Sequence, residues 1–81
     1  MNAPADIVAQ IVTLLQPYNK GGVTLSADTD IPAELNIDSV DIMDFVMEVE
    51  DHYDIEIPLN VVSETRTIGD LALVVAKRRK A

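Results

Sequence analysis

The run from residue 39 to residue 52 constrains the fold most, because its apolar and acidic residues recur at helical spacing. Projected at about 100° per residue, the acids occupy an arc of about 80° and the apolar residues lie on the other side. This pattern predicts an α-helix packed by one face against a core. The predicted core face contains Ile42, Met43, Val46, Val49 and Tyr53, with Phe45 at its border.

The start of this helix contains a candidate functional serine, although Asp-Ser is a common pair at helix starts. Asp38 is a suitable N-cap, and Asp41 is positioned to reach back to the Asp38 N–H group. Ser39 is then the first helical residue, beside unpaired N–H groups and the positive end of the helix dipole. A phosphate on its hydroxyl would be stabilised there. The same residues also fit a serine that only solvates the helix end.

Two further stretches complete the first half of the chain. Helical spacing predicts a helix over residues 4–16, which Pro17 ends. A long connection over residues 17–37 follows, and connections of about 20 residues are often functional. Three apolar residues are expected to anchor this connection to the core: Val23, Leu25 and Ile31.

The second half predicts a loop over residues 54–58, a short helical turn over residues 59–64 and a last helix over residues 68–79. Thr67 and Asp70 form a capping-box variant at the start of that last helix. The expected fold is therefore all-α. It is a four-helix bundle of three longer helices and one short helix, with a long loop between the first two and residues 1–81 forming a single domain.

Charge is distributed unevenly along the chain. Residues 28–56 carry eleven acids and no lysine or arginine, whereas Lys77, Arg78, Arg79 and Lys80 form a basic tail. The acidic part would repel nucleic acid and attract a basic protein. Like charges at helical spacing destabilise a helix by about 0.2–0.5 kcal/mol per pair, which favours a binding role over a merely solvated face. The acids of this stripe are Asp41, Asp44, Glu48 and Asp51.

Val40 and Met47 project together beside the acidic stripe. At this stage they fit either the edge of the core or an exposed apolar contact for a partner. Methionine suits partners of varied shape because its side chain is flexible.

The sequence contains few of the residues that catalysis requires. The chain has no cysteine, and its one histidine, His52, is thirteen residues from Ser39 on the same predicted helix, or about 20 Å away. No calcium-binding loop, glycine-rich phosphate loop or metal-ligand motif is present. No apolar run approaches the roughly 18 residues of a membrane span. We therefore expect a cytoplasmic monomer without a metal site, on whose serine other proteins act.

Three segments together resemble the acyl carrier protein family. Asp38-Ser39-Val40-Asp41 is similar to the Asp-Ser-Leu attachment motif of that family. Residues 51–58 resemble the segment that ends its second helix, and residues 67–71 resemble the start of its last helix. The likeness extends over nearly the whole chain. The tripeptide alone has little specificity, but the three segments in register, together with the charge pattern, are specific.

The resemblance implies that Ser39 carries 4′-phosphopantetheine, installed from coenzyme A by a phosphopantetheinyl transferase that uses Mg²⁺. Its thiol would bear an acyl chain as a thioester for lipid or fatty-acid synthesis, and the carrier itself would not be an enzyme. Asp38 and Val40 would flank the attachment site. Acyl-transferring and acyl-synthesising enzymes would present basic patches to the partner surface, which we define by matching positions: Asp38, Val40, Asp41, Asp44, Met47, Glu48 and Asp51.

The sequence also departs from the family pattern. Asn36 stands where glycine is common, Val40 replaces leucine, and the tail over residues 77–80 is basic. Asparagine tolerates the left-handed backbone that glycine often adopts, so the turn before the helix is expected to be retained. These departures favour a specialised carrier dedicated to one pathway, such as a modified lipid, a sphingolipid-type product or a polyketide.

Three alternatives remain open from the residues alone. The first is an aminoacyl or aryl carrier of a peptide-synthetase type, and strong acidity argues against it. The second is an acidic adaptor without a prosthetic group, which would function without the Ser39 hydroxyl. The third is a small serine hydrolase, which would turn over an activated ester unaided and would require Ser39.

Overall fold

The computed structural model describes residues 4–79, and this part of the chain is helical with no extended sheet. A 3-10 turn over Gln16–Tyr18 follows the first helix directly. The predicted all-α class is confirmed. The α-helices are α1 (Ala5–Leu15), α2 (Ile31–Leu35), α3 (Ser39–Tyr53), α4 (Leu59–Glu64) and α5 (Ile68–Arg78).

Four of these helices match the predicted segments closely, and α2 was missed. Asp30 caps α2 by accepting a hydrogen bond from the Ala33 N–H group at 3.1 Å, and Pro32 lies in its first turn. The Glu34 carboxylate accepts from the Asp30 N–H group at 2.8 Å. The prediction treated residues 17–37 as a continuous connection and gave no weight to this cap and proline.

The core lies where α1, α3 and α5 meet. α1 packs mainly against α5 and α3. All three helices contribute fully or almost fully buried side chains. The core side chains of these helices are Ile7, Ile11, Leu15, Phe45, Val46, Val49, Ile68, Leu71, Ala72 and Val75.

Two assignments on α3 need correction. Met43, predicted on the core face, is 38% exposed, whereas Phe45, predicted at its border, is 1% exposed. The short helices α2 and α4 explain the difference, because they leave the Met43 side of α3 open. Phe45 instead contacts the 3-10 turn, where its ring meets the Tyr18 ring edge-on at 6.0 Å between centroids.

The long connection is joined to the start of α5 by backbone hydrogen bonds. The Gly69 N–H group donates to the Ala27 carbonyl at 2.8 Å, and the Ile68 N–H group donates to the Thr29 carbonyl at 3.1 Å. A Cβ atom on Gly69 would lie 2.9 Å from the Ala27 carbonyl oxygen. Glycine is therefore needed at this position for the two segments to approach each other.

Side-chain anchors also order the loops. Thr29 is buried, and its hydroxyl accepts from the Ser26 N–H group at 2.9 Å. Of the three predicted anchors of the connection, Ile31 is buried and Leu25 packs against the core, whereas Val23 is only half-buried. Beyond α3, the Glu50 carboxylate accepts from the Ile57 N–H group at 2.6 Å.

The basic tail is described only as far as Arg79, and Lys80 lies outside the described residues. Lys77 and Arg78 occupy the last turn of α5, where cations favour the helix dipole. Arg79 pairs with Asp6 at 3.7 Å. Within residues 4–79, no helix has both the length and the apolar character needed to span a bilayer.

Candidate functional site

The N-terminus of α3 has the predicted N-cap. The Asp38 carboxylate accepts from the Asp41 N–H group at 2.9 Å, so Asp38 is the N-cap. The expected reciprocal hydrogen bond, in which the Asp41 carboxylate accepts from the Asp38 N–H group, is not formed. Ser39 is the first residue of the helix, and it is exposed.

A left-handed residue sets the direction from which the chain enters α3. Asn36 has φ 51° and ψ 41°, and it ends α2. This is the conformation that glycine adopts without strain and that asparagine tolerates better than most residues. Asn36 thus retains the turn before Asp38, as expected from the sequence.

A cavity of about 340 Å³ opens beside Ser39. Small-molecule pockets in proteins usually have volumes of about 300–1,000 Å³, so this cavity has room for a ligand. Its wall is mostly apolar, and it combines side chains from α2 to α5 with the segment between α4 and α5. Representative lining residues are Ile31, Ile42, Met43, Phe45, Val46, Leu59, Val62 and Leu71.

Polar side chains occupy the remaining wall of this cavity. Ser39 contributes from α3, and Ser63, Thr65 and Arg66 contribute from the end of α4 and the segment after it. The cavity therefore combines an apolar interior with a hydroxyl group able to carry a phosphate. This chemistry fits a phosphopantetheine arm that bears an acyl chain.

The predicted partner surface lies along one side of α3 and its cap. Val40 is 65% exposed and Met47 is 56% exposed, so they are apolar surface contacts rather than core edge. The acidic members are also exposed, except that Asp41 is half-buried. The exposed acidic members are Asp38, Asp44, Glu48 and Asp51.

One acid of this surface is held by a tyrosine from the 3-10 turn. The Tyr18 hydroxyl donates to the Glu48 carboxylate at 2.6 Å. This hydrogen bond, together with partial burial and the negative charges of Glu48, Asp44 and Asp41, raises the pKa of Tyr18 to about 12. The partner surface is thereby connected to Phe45 in the core, which packs against the Tyr18 ring.

In the part of the chain that the structure describes, no catalytic centre is assembled around Ser39. His52 lies near the opposite end of α3, where its ring meets the Tyr53 ring at 4.9 Å between centroids. Among residues 4–79, no three acidic or histidine side chains are grouped so that they could hold a metal ion.

Sequence reasoning missed two features of the site. Leu59, at the start of α4, is 66% exposed on the cavity rim, and Arg66 lies on the same rim. Arg66 carried a signal, because it is the one lysine or arginine between residues 21 and 76. Leu59 gave no such signal in the sequence, because a single apolar residue in a short helix fits a buried core position as well as an exposed one.

Comparison with known proteins identifies a family. A family model described as "Phosphopantetheine attachment site" matches residues 7–75. The matched region contains every predicted site residue and the whole cavity wall.

Several proteins similar to this chain are named acyl carrier proteins. The acyl carrier protein of Tropheryma whipplei is 43% identical over 63 residues, which cover 78% of this chain and 74% of that protein. The mitochondrial acyl carrier protein of Saccharomyces cerevisiae is 28% identical over 86 residues, covering 99% and 69% respectively. The crystal structure of an acyl carrier protein from Thermotoga maritima superimposes with a TM-score of 0.73 at 28% identity, covering 90% of this chain and 86% of that one.

Proposed function

The chain belongs to the acyl carrier protein family and contains its phosphopantetheine attachment domain, and we propose that Ser39 is the attachment residue. Proteins of this family are carriers rather than catalysts. They interact with phosphopantetheinyl transferases and acyl-processing enzymes. We further propose that residues 1–81 act as one carrier domain, located in the cytoplasm.

The position of Ser39 carries this proposal. Ser39 is an exposed residue at the start of a 15-residue helix, and it lines an apolar cavity. A phosphodiester at this position would lie beside the free N–H groups of the first turn. An acyl chain joined to it would have an apolar compartment within the same domain.

Attachment is a phosphoryl transfer that the partner enzyme performs. The Ser39 oxygen forms a P–O bond to the phosphopantetheine phosphorus, the pyrophosphate bond of coenzyme A breaks, and adenosine 3′,5′-bisphosphate leaves. The hydroxyl proton passes to a base of the transferase. The arm then supplies a thiol that holds the acyl chain as a thioester, while the carrier residues position the arm.

The partner surface is proposed to recognise these enzymes by charge. Its acids would steer a basic patch towards Ser39, and such steering acts mainly on the association rate. Val40 and Met47 would then make the desolvated apolar contacts. Both residues are exposed, which supports this role.

Intact mass measurement tests the attachment. The protein is incubated with coenzyme A and a broad-specificity phosphopantetheinyl transferase. We expect the mass to increase by one phosphopantetheine, with no increase for Ser39→Ala and a normal increase for Ser63→Ala, a second exposed serine at the cavity. Loading of Ser39→Ala would refute the assignment. Absence of loading in the folded wild-type protein, with a known carrier modified in parallel, would favour the acidic adaptor.

Charge reversal tests the partner surface separately. Asp41→Lys and Asp44→Lys should each slow transfer by about tenfold, and added salt should slow it in the wild-type protein. Asp28→Lys is the matched control, because it makes the same change of charge at an exposed position outside α3. Equal rates for all three variants, with no effect of salt, would exclude the acidic stripe from recognition.

A further inference from the structure

Among residues 4–79, Arg66 is the one cation in the cavity wall, and its position bears on the kind of acyl chain that the cavity accepts. Arg66 lies on the wall together with Ser39. It is the one lysine or arginine in the sequence between residues 21 and 76, a part of the chain dominated by acids. An apolar cavity for a plain hydrocarbon chain has no need of a guanidinium group on its rim.

Backbone and side-chain contacts hold Arg66 in place. Its carbonyl accepts from the Ile31 N–H group at 2.8 Å, which joins it to the start of α2. Its Nε and Nη2 atoms both lie 3.1 Å from the same oxygen, Oδ2 of Asp30. Asp30 is itself fixed as the N-cap of α2. The guanidinium is therefore positioned before any ligand arrives, which favours binding.

This arrangement leaves donors on Arg66 without a protein partner among the described residues, and its side chain is 65% exposed to solvent. A guanidinium has five N–H groups, and within residues 4–79 those of Arg66 contact only one carboxylate oxygen. The nearby hydroxyls differ, because Ser63 donates to the Asn60 carbonyl at 2.9 Å and Thr65 donates to the Val61 carbonyl at 2.8 Å. Arg66 is thus the strongest available donor on this part of the cavity wall.

We propose that Arg66 makes this carrier selective for acyl chains that bear an oxygen substituent, a hydroxyl or an oxo group, which the guanidinium binds at the cavity rim. The inference rests on the proposed function, since the chain must be attached at Ser39 to enter the cavity. An oxygen placed in an apolar cavity without a partner opposes binding. A hydrogen bond from a charged donor reverses that preference.

Thermal unfolding of loaded proteins tests the selectivity. The holo form is compared with forms that carry octanoyl or a hydroxyoctanoyl chain with the hydroxyl at carbon 3, 5 or 7. A chain bound in the cavity stabilises the folded state and raises Tm. For at least one hydroxylated chain, we expect Tm to exceed that of the octanoyl form by about 4 °C, the effect of one ordinary hydrogen bond in a domain of this size.

Two variants separate binding by Arg66 from a merely structural effect. In Arg66→Met every hydroxylated chain should stabilise less than octanoyl, because the hydroxyl is left without its donor. In Asp30→Asn the preference should become smaller but remain, since asparagine retains the helix cap and a neutral acceptor for the guanidinium while the ion pair is lost. An equal loss of preference in both variants would show that only the Arg66–Asp30 ion pair matters, and it would overturn the proposal.

The remaining outcomes distinguish a failure of the proposed attachment at Ser39 from a failure of the proposed selectivity of Arg66. If Ser39 accepts no arm at all, the proposed function fails and this inference with it. If the octanoyl form is obtained but its Tm equals that of the holo form, the attachment stands, the cavity is not the chain site and this inference alone is overturned. If octanoyl stabilises the protein but no hydroxylated chain exceeds it, only the selectivity is overturned. The NMR resonance of the Arg66 Nε–H group gives a second test of the selectivity. If this resonance shifts between the apo and holo forms but does not shift further when any acyl chain is loaded, Arg66 binds the phosphodiester of the arm. The selectivity is then overturned.

Discussion

The two sides of this small domain are built differently. On the packed side, α1 and α5 bury Ile7, Ile11, Leu15 and Val75 completely. On the cavity side, α2 buries only Ile31, and α4 buries none of the residues 59–64. The packed side thus supplies most of the hydrophobic stabilisation, whereas the cavity side keeps an opening beside Ser39 for a ligand.

The difference between the packed side and the cavity side explains how a domain of 81 residues can hold a ligand and remain folded. A domain of this size buries one modest core, so an internal cavity subtracts from a limited total. Short helices with few buried side chains form one wall of the cavity. A backbone hydrogen bond from the Ile31 N–H group to the Arg66 carbonyl joins α2 to the segment before α5 and keeps that part of the wall in register.

The largest predicted effect is the difference in stability loss when one apolar side chain on each side is truncated to alanine. Ile11→Ala, at a fully buried position, should lower the free energy of unfolding by about 2–5 kcal/mol. Leu59→Ala, on the exposed cavity rim, should change it by less than about 0.5 kcal/mol. Urea denaturation of both variants measures the difference. Similar losses of stability would show that the two sides contribute equally and would contradict the comparison.

The second effect concerns the joint between the two sides. Gly69→Ala would place a Cβ atom 2.9 Å from the Ala27 carbonyl oxygen. The resulting shift of backbone should lower the free energy of unfolding by about 1–3 kcal/mol. Gly21→Ala is the matched control, because its Cβ would meet the nearest atom at 4.0 Å. If the two alanine variants are equally stable in urea, the close approach at Gly69 is not a constraint.

A smaller effect is expected at the turn before Ser39. Asn36→Ala puts an ordinary side chain at φ 51°, which should lower the free energy of unfolding by about 1 kcal/mol. Asn36→Gly should preserve stability within a few tenths of a kcal/mol, and both variants can be compared by urea denaturation. Should alanine prove as stable as glycine at this position, the left-handed turn would not be what fixes the entry into α3.

The smallest effect concerns the link between the core and the partner surface. Tyr18→Phe removes the hydroxyl that binds Glu48 and should lower the free energy of unfolding at neutral pH by about 0.5 kcal/mol or less. Folding raises the pKa of Tyr18 from 10.0 to about 12, so the folded protein favours the protonated hydroxyl. The stabilisation is therefore full below pH 10 and is lost as the pH rises to about 12.

Denaturation of both proteins at several alkaline pH values checks this prediction. Burial and the charge of Asp6 also raise the pKa of Tyr53, but that residue is present in both proteins and its contribution cancels. A difference between wild type and Tyr18→Phe that stays constant up to pH 12 would show that the Glu48 hydrogen bond does not stabilise the fold.

The packed side was predictable from the sequence and the cavity side only partly so. Periodic apolar residues gave the long helices to within a residue or so, because one amphipathic face determines each of them. The Thr67–Asp70 capping box was also predictable, and both of its hydrogen bonds are formed. Short helices such as α2 bury too few side chains to leave a periodic signal.

The attachment site likewise has a part that was predictable from the sequence and a part that was not. Asp38, Ser39 and Asn36 act through local backbone geometry, so residue type and order were enough to predict the cap and the turn. The cavity depends on long-range packing between α3, α4 and the segment at Arg66. No local pattern encodes it, which is why Met43 was misassigned to the core, whereas Arg66 was overlooked although its isolated charge was visible in the sequence.

Chemical-shift mapping of the loaded protein tests the central claim most directly. Backbone amide spectra are recorded for the holo form and for the octanoyl form, with loading confirmed by mass. The account predicts that shift changes concentrate at residues 39–46 and 59–66, which line the cavity, while residues 5–15 of α1 change little. Changes that are equally large along α1, or no changes at all despite complete loading, would contradict it.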